Sequence, residues 1–290
     1  MPDHHATCAV PIQETVDPRN LPITRVHVKY FEDLLRSQKP HEEDFLFFRN
    51  FCDEPTLFLD IGGNVGNSAL SVLFVCPNWR VVSFEPNPSL SYFMERVSEV
   101  FAERQAHFTY YPVGLGAESG EVDLYIPKVD DWLVIGEASI IREHFQDAVV
   151  RTRLSSYSAS GQWSLIKTTI SIVTFDSFLA EHPILGAEKR IVVKIDVEGA
   201  EVAVLKGMEG FIQKHWPLFM IENSLPDVVG EWLGARGYRA YIFELSTNQL
   251  IPKRQGVALN SFYVPDDVTR DFVQAYRSDY HVGTAAIKGL

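Results

Sequence analysis

The chain lacks the features that would place it in a membrane, on nucleic acid or in a disulfide scaffold. Its three cysteines, Cys8, Cys52 and Cys76, are odd in number and show no metal-ligand spacing. Neither a disulfide framework nor a zinc site is expected, and a reducing cytoplasm is the expected setting. No apolar run approaches the ~20 residues that span a bilayer. The polar N-terminal stretch has no apolar signal region. Basic charge is also scarce: 26 Lys and Arg stand against 38 Asp and Glu, a net charge of −12, with no basic stripe. That balance argues against nucleic acid and anionic membranes as partners. What remains is ordinary globular composition, 46% hydrophobic and 22% charged over 290 residues. That length suits one large domain with additions.

Two further absences narrow the chemistry. The segment Leu57-Phe58-Leu59-Asp60-Ile61-Gly62-Gly63-Asn64-Val65-Gly66-Asn67 reads as an apolar strand, an acid and a glycine-rich turn. Ser68 to Phe74 can continue as a helix, which completes the opening of a nucleotide-type α/β fold. A P-loop is excluded, because no Gly-Lys-Ser/Thr follows. The dinucleotide pattern G-x-G-x-x-G, laid on Gly62, needs glycines where Asn64 and Asn67 stand. The pattern present is D-x-G-x-N-x-G. It resembles the first motif of S-adenosylmethionine (SAM) methyltransferases, with Asn64 in the middle glycine slot. Such a turn lets backbone approach a ligand, and the helix N-terminus favours negative charge.

The next apolar run, Arg80-Val81-Val82-Ser83-Phe84, ends in Glu85-Pro86-Asn87-Pro88. Glu85 stands at about the spacing where these folds place a ribose-binding acid. A carboxylate there can accept from both ribose hydroxyls, and the prolines stiffen the loop.

Periodicity organises the rest. Residues 1–20 are expected to pack loosely, and 23–52 to form a helical cap rich in phenylalanine. A helix is expected over 89–104, a third strand over 107–113, a turn at 114–116 and a strand over 121–126. Residues 128–168 break the pattern and read as an insertion of the lid or substrate-loop kind. Short strands follow at 170–175, 190–196, 218–223, 238–245 and 261–264. Helices are expected at 200–215, 227–237 and 267–279. This alternation predicts a mostly parallel sheet covered on both faces. The expected division is 1–55 for the N-terminal segment and cap, 56–267 for the core domain with its insertion, and 268–290 for a C-terminal helix or tail.

A third constellation, Lys194-Ile195-Asp196-Val197-Glu198-Gly199-Ala200-Glu201, leaves a β-branched strand expected at the sheet centre. Ligands of open α/β sheets bind outside such strand ends, and ionisable groups packed there are costly unless paired or functional. Together with 60–66, 84–88 and the segment Val113-Gly114-Leu115-Gly116, it resembles the signatures of the FkbM-type methyltransferases. The likeness runs over about 57–223 and departs at Gly63, where alanine is more usual.

The resemblance implies a class I methyltransferase (Rossmann-like) fold with a seven-stranded, mostly parallel sheet whose last two strands form an antiparallel pair. It implies SAM as donor and O-methylation of a hydroxyl on a small metabolite, sugar or natural product. Gly62, Asn64 and Gly66 would hold the amino-acid end of SAM, and Asp60, Gly63 and Asn67 are further candidate cofactor-binding residues. Glu85 would hold the ribose and the Val113–Gly114 turn would border the adenine, with Pro86, Asn87 and Asp196 as further candidate cofactor-binding residues. An alcohol acceptor needs a base or a Lewis acid. Asp196 or Glu198 is the candidate base. Asp196, Glu222 and Asn223 are the candidate oxygen ligands for Mg²⁺. His144, His182 and His215 are lesser base candidates. Trp132, Tyr157 and Trp163 are candidates for stacking on the acceptor. Alternatives from other classes are an NAD-dependent oxidoreductase and a non-catalytic interaction protein. The expected partner is a small-molecule hydroxyl acceptor; oligomeric state is open, a homodimer being one option.

Overall fold

The three polar-ended apolar runs pair side by side. In the computed structural model, which describes residues 11–13, 17–185, 188, 190–222, 227–253 and 259–266, they become strands of one sheet. The strands are β1 (Ile12–Gln13), β2 (Thr56–Ile61), β3 (Arg80–Phe84), β4 (His107–Tyr111), β5 (Gly114–Leu115), β6 (Gly120–Val129), β7 (Trp132–Leu133), β8 (Ser164–Val173), β9 (Arg190–Ile195), β10 (Leu218–Glu222), β11 (Tyr238–Glu244), β12 (Gln249–Pro252) and β13 (Asn260–Pro265). The helices are α1 (Arg25–Ser37), α2 (Asn67–Val75), α3 (Ser91–Glu103), α4 (Ala148–Ser156), α5 (Phe175–Glu181), α6 (Glu201–Gly207), α7 (Glu209–His215) and α8 (Val228–Gly234).

The main sheet has the order β12-β11-β13-β10-β9-β2-β3-β4. From β10 to β4 every pairing is parallel, while β13 runs antiparallel to both β10 and β11. This is the expected α/β class with one correction: the sheet has eight strands, not seven. The extra strand, β12, pairs with β11 at the edge. Its Gln249-Leu250-Ile251-Pro252 is too short to announce itself by period. The final β13 is an interior strand, slotted between β10 and β11.

The central strands are buried on both sides, so they read as continuous apolar runs. Leu57, Leu59, Ile61, Val193, Ile195, Phe219 and Ile221 pack with α5 to α8 on one face. Phe58, Val192 and Met220 pack on the other with α2, α3 and the N-terminal segment. There Phe45, Phe47 and Phe48 are fully buried against Phe58, Trp79 and Phe262. The N-terminal phenylalanines are therefore core. Truncating one to alanine costs on the order of 3–5 kcal/mol.

The expected insertion is part of a second, small sheet of order β1-β8-β6-β7, with β5 attached to β8. β6 and β8 pair antiparallel over nearly their whole length, from Gly120↔Ile172 to Lys128↔Ser164. Gly114 and Leu115, expected as a turn, join it as a strand. The strand expected over 170–175 begins at Ser164, and Phe175 already starts α5. Residues 12–13 and 18–20, expected to be loose, form a strand and a 3₁₀ turn. The helix expected over 200–215 is two, α6 and α7, which meet at Met208. The helix expected at 267–279 lies outside the described residues. Among the described residues, no helix is long and apolar enough to cross a membrane.

Candidate active site

Sheet register brings the motifs together. Ile61 pairs with Phe84 on one side and Ile195 on the other, and Ile195 pairs with Ile221. One residue further along each strand stand Gly62, Glu85, Asp196 and Glu222. Four segments distant in sequence thus deliver a strand-end residue to the same carboxyl edge, the first three just past their strands and Glu222 as the last of β10. That edge is where open parallel sheets bind ligands.

The glycine turn is built by close approach. Gly62 sits at φ +84°, and a Cβ there would lie 1.9 Å from the Asp196 carbonyl oxygen. Only glycine allows that contact. The Gly62 and Gly63 amides donate to the Phe84 carbonyl at 2.9 and 3.1 Å. Asn64 takes φ +48°, a left-handed conformation asparagine tolerates, and its Oδ1 accepts from the Val65 amide at 2.8 Å. Asn64 therefore does the conformational work of a glycine in the middle slot. Gly66 N-caps α2.

Glu85 is buried, with 7% exposure. Its carboxylate accepts from the Asn64 amide at 2.9 Å and the Asn87 amide at 2.8 Å. Burial nevertheless pushes its pKa up to about 7. Asp60 lies beneath the turn at 1% exposure, accepting from Ser83 Oγ at 2.8 Å. Burial raises it to about 6.

These elements wall a cavity of about 350 Å³. That size is in the range of small-molecule sites. Of the residues assigned to SAM, Gly62, Gly63, Asn64, Asn67, Glu85, Pro86, Asn87, Gly114 and Asp196 line it. Asp60, Gly66 and Val113 are not among the lining residues: Asp60 supports the turn from below, Gly66 starts the helix, and Val113 packs on the core. Leu124, Ile170 and Ile172 of the small sheet add an apolar wall. Gly114 presses against it, since a Cβ there would meet Ile172 Cδ1 at 2.4 Å.

Two residues that line this cavity each carry a buried amide atom with no hydrogen-bond partner: Asn67 Oδ1 and Asn87 Nδ2. Asn87 is held in place because its Oδ1 accepts from Ser89 N and Oγ at 3.1 and 2.7 Å. Unsatisfied buried polar groups cost ~1–3 kcal/mol each, and a bound ligand or water is what satisfies them. An acceptor on Asn67 at a helix N-terminus and a donor on Asn87 beside Glu85 fit a zwitterionic nucleoside such as SAM.

The other end of the cavity is acidic. Asp196, Glu198 and Glu222 each place a carboxylate oxygen within 4.8 Å of the others. Lys194, only 1% exposed, donates to Asp196 Oδ2 at 3.0 Å. Burial opposes the Asp196 charge, but Lys194 and a proton from Glu222 hold its carboxyl below the usual range. Burial and the neighbouring Asp196 charge push Glu222 up to about 8. Glu198 is raised by burial and Asp196 to about 7. Its backbone sits at φ +50°, followed by Gly199 at +94°. Strain of this kind persists where surrounding structure imposes it.

The donor set is oxygen-rich, as Mg²⁺ prefers. However, Lys194 already neutralises Asp196, and raised pKa values bring protons to Glu198 and Glu222. Such protons leave when a cation binds, so Asp196, Glu198 and Glu222 are the described residues that would hold a divalent ion, with Lys194 competing for Asp196. Asn223 lies outside the described residues.

The lesser candidates lie elsewhere. His144 contacts buried Glu137 at 3.3 Å, a bond that raises its pKa, and does not line the cavity. His182 stacks on Phe178 and His215 tilts against Phe211. Trp132 and Tyr157 flank a different groove beside Arg25, and Trp163 packs near Phe145. None of these aromatic residues faces the cavity.

The sequence pointed to 23–52 as a helical cap over the cofactor but singled out none of its site residues. His27 and Tyr30 of α1, then His41 and Glu42, line the cavity. His41 is tied to Ser71 Oγ at 2.7 Å and to Glu42 at 3.3 Å. Glu42 also accepts from Asn260 Nδ2 at 2.7 Å. The i, i+3 spacing of His27 and Tyr30 was the one available signal, because it puts both on one helix face.

A mostly parallel sheet with a glycine turn, a buried strand-end acid and a carboxylate cluster around one cavity is a Rossmann-like fold with its ligand site at the carboxyl edge. The Methyltransferase FkbM domain matches residues 60–242. The chain belongs to the FkbM methyltransferase family. It is 26% identical over 223 residues to Methyltransferase 1 of Beauveria bassiana, covering 74% of this chain and 78% of that one. It is 25% identical over 169 residues to Methyltransferase sdnD of Sordaria araneosa, covering 55% and 62%. It is 29% identical over 206 residues to AMB antimetabolite synthetase AmbE of Pseudomonas aeruginosa, covering 58% of this chain but 9% of that protein. The crystal structure of an FkbM methyltransferase from Methylobacillus flagellatus aligns with a TM-score of 0.42 and 16% identity over 85% of this chain and 56% of that one.

Proposed function

We propose that this chain transfers a methyl group from SAM to a hydroxyl of a small metabolite. The observation that carries the reading is one cavity lined by the glycine turn, Asn67, Glu85, Asn87 and the carboxylate cluster. Family membership supports a methyl donor, and the oxidoreductase alternative has no support beside it.

The turn at 62–64 and Asn67 hold the amino-acid end of the donor, and Glu85 with Asn87 holds the ribose. Leu124, Ile170 and Ile172 cover an apolar ring. Bound there, SAM supplies an electrophilic methyl on a sulfonium. The chain's own residues bind, align and exclude water, which is worth much of the barrier in a displacement between held groups.

An alcohol must lose its proton as it attacks. Asp196 is a weak base because Lys194 stabilises its charge. Glu198, raised to about 7, is poised near neutral pH, where a general base works best. We assign Glu198 as the base and Asp196 with Lys194 as the fixed charge that keeps it raised.

Isothermal titration with SAM, S-adenosylhomocysteine (SAH) and NAD tests the reading. Binding of SAM and SAH without NAD is expected. Binding of NAD without SAM overturns it.

A further inference from the structure

We propose that the acceptor end of this cavity takes a non-anionic small molecule presenting hydroxyl or amino donors, and that His27 and Tyr30 of α1 select it. This rests on the reading of the cavity as a SAM-dependent transfer site. The FkbM match begins at residue 60, so it contains the donor loops and the carboxylates but neither cap residue.

The cap closes directly on the carboxylate loop. A Cβ on Gly136 would lie 3.2 Å from His27 Nε2, so α1 abuts the segment 135–140. Ser139 Oγ of that segment donates to the Glu198 carbonyl at 3.2 Å. Ile141 meets Gly199, whose added Cβ would lie 3.3 Å from Ile141 Cδ1. His27, this segment and Glu198 thus form one continuous wall. Tyr30 stands one helical turn along α1 on the same face, 46% exposed at the cavity rim.

The charge of this wall sets the acceptor class. Glu42, Glu85, Asp196, Glu198 and Glu222 all line the cavity, and among the described lining residues there is no arginine or lysine. Lys194 lies behind Asp196 and is engaged with it. A phosphate or carboxylate on the acceptor would lose its water beside these groups and meet only His27, which burial keeps towards its neutral form, and His41, already turned to Glu42. That is the repulsive arrangement by which sites reject a ligand class. Hydroxyl and amino groups, by contrast, donate to carboxylates, and the ring of Tyr30 offers a face to a sugar or a cation.

The test works with an acceptor of unknown structure. A small-molecule extract of cells carrying this gene is separated on ion exchangers at pH 8 into cationic, neutral and anionic pools. Each pool is incubated with the chain and methyl-tritiated SAM. Label transferred in the neutral or cationic pool is expected. Label confined to the anionic pool overturns the proposal. Silence in all pools with SAH binding intact also overturns it while sparing the donor site, whereas failure to bind SAH removes the reading beneath it. With the active pool, His27→Ala and Tyr30→Ala are expected to raise half-saturation at least tenfold and to leave SAH affinity within twofold. Unchanged half-saturation in both variants overturns the selecting role of α1.

Discussion

The Glu85 carboxylate accepts the backbone N–H of Asn64 at 2.9 Å, so the acid ending β3 and the turn following β2 form one unit. The acid cannot be lost without loosening the turn, and the turn cannot move without stranding a buried carboxylate.

Glu85→Ala is therefore expected to weaken SAH binding by at least ~100-fold. Loss of charge-assisted bonds worth ~1.5–3 kcal/mol each sets that scale. Calorimetry reads it directly, and near-normal affinity would remove Glu85 from the donor site.

Ligand-free stability should fall with rising pH. Burial raises Asp60 to about 6, Glu85 and Glu198 to about 7 and Glu222 to about 8. Each lies above its unfolded value, so the folded chain holds more protons than the unfolded chain across that window. Stability from these groups is full at acid pH and is lost as pH climbs through 6 to 8. Asp196 and Glu42, held low by Lys194 and His41 against burial, oppose this over a lower range. Melting curves at pH 5.5 and 8.5 should show the drop, and Glu198→Gln with Glu222→Gln should flatten it. A Tm that rises over the interval contradicts the assignment.

Glu198→Gln keeps the shape of the loop and removes the base. Turnover should fall by ~10²–10⁴, the usual worth of general-base catalysis, with SAH affinity unchanged. If kcat survives, Glu198 is not the base.

Gly62→Ala introduces a Cβ 1.9 Å from the Asp196 carbonyl at φ +84°. A stability loss above ~2 kcal/mol is expected from the strain and clash together. Urea unfolding measures it; a neutral result would mean the turn and the Asp196 loop separate easily.

Dialysis against EDTA, followed by assay with and without added Mg²⁺, should leave the rate unchanged, because Lys194 already holds the charge of Asp196. A rate restored only by Mg²⁺ would return a metal to the cluster.

Much of this was legible in the sequence because it is local. Glycines at 62 and 66, the acid at 85 and the run from Arg190 to Asp196 each depend on a few adjacent residues. Strand period and turn chemistry report such features directly. The α/β class and the loops at the carboxyl edge of the sheet followed from them. The edge strand β12 did not, since four residues carry too little period. The small sheet did not either: β6 and β8 pair across a long excursion, and nothing local says that Gly120 meets Ile172.

By itself, then, the sequence determined the glycine turn, the strand-end acids and the family. Only the tertiary structure decided what they face. Register set Gly62, Glu85, Asp196 and Glu222 level along one sheet edge. Burial raised Glu198, while Lys194 lowered Asp196, so two acids two residues apart hold their protons differently. Packing of α1 against 135–140 brought His27 and Tyr30 over the site. Each outcome depends on desolvation and on contacts between distant segments, which no short stretch of chain encodes alone.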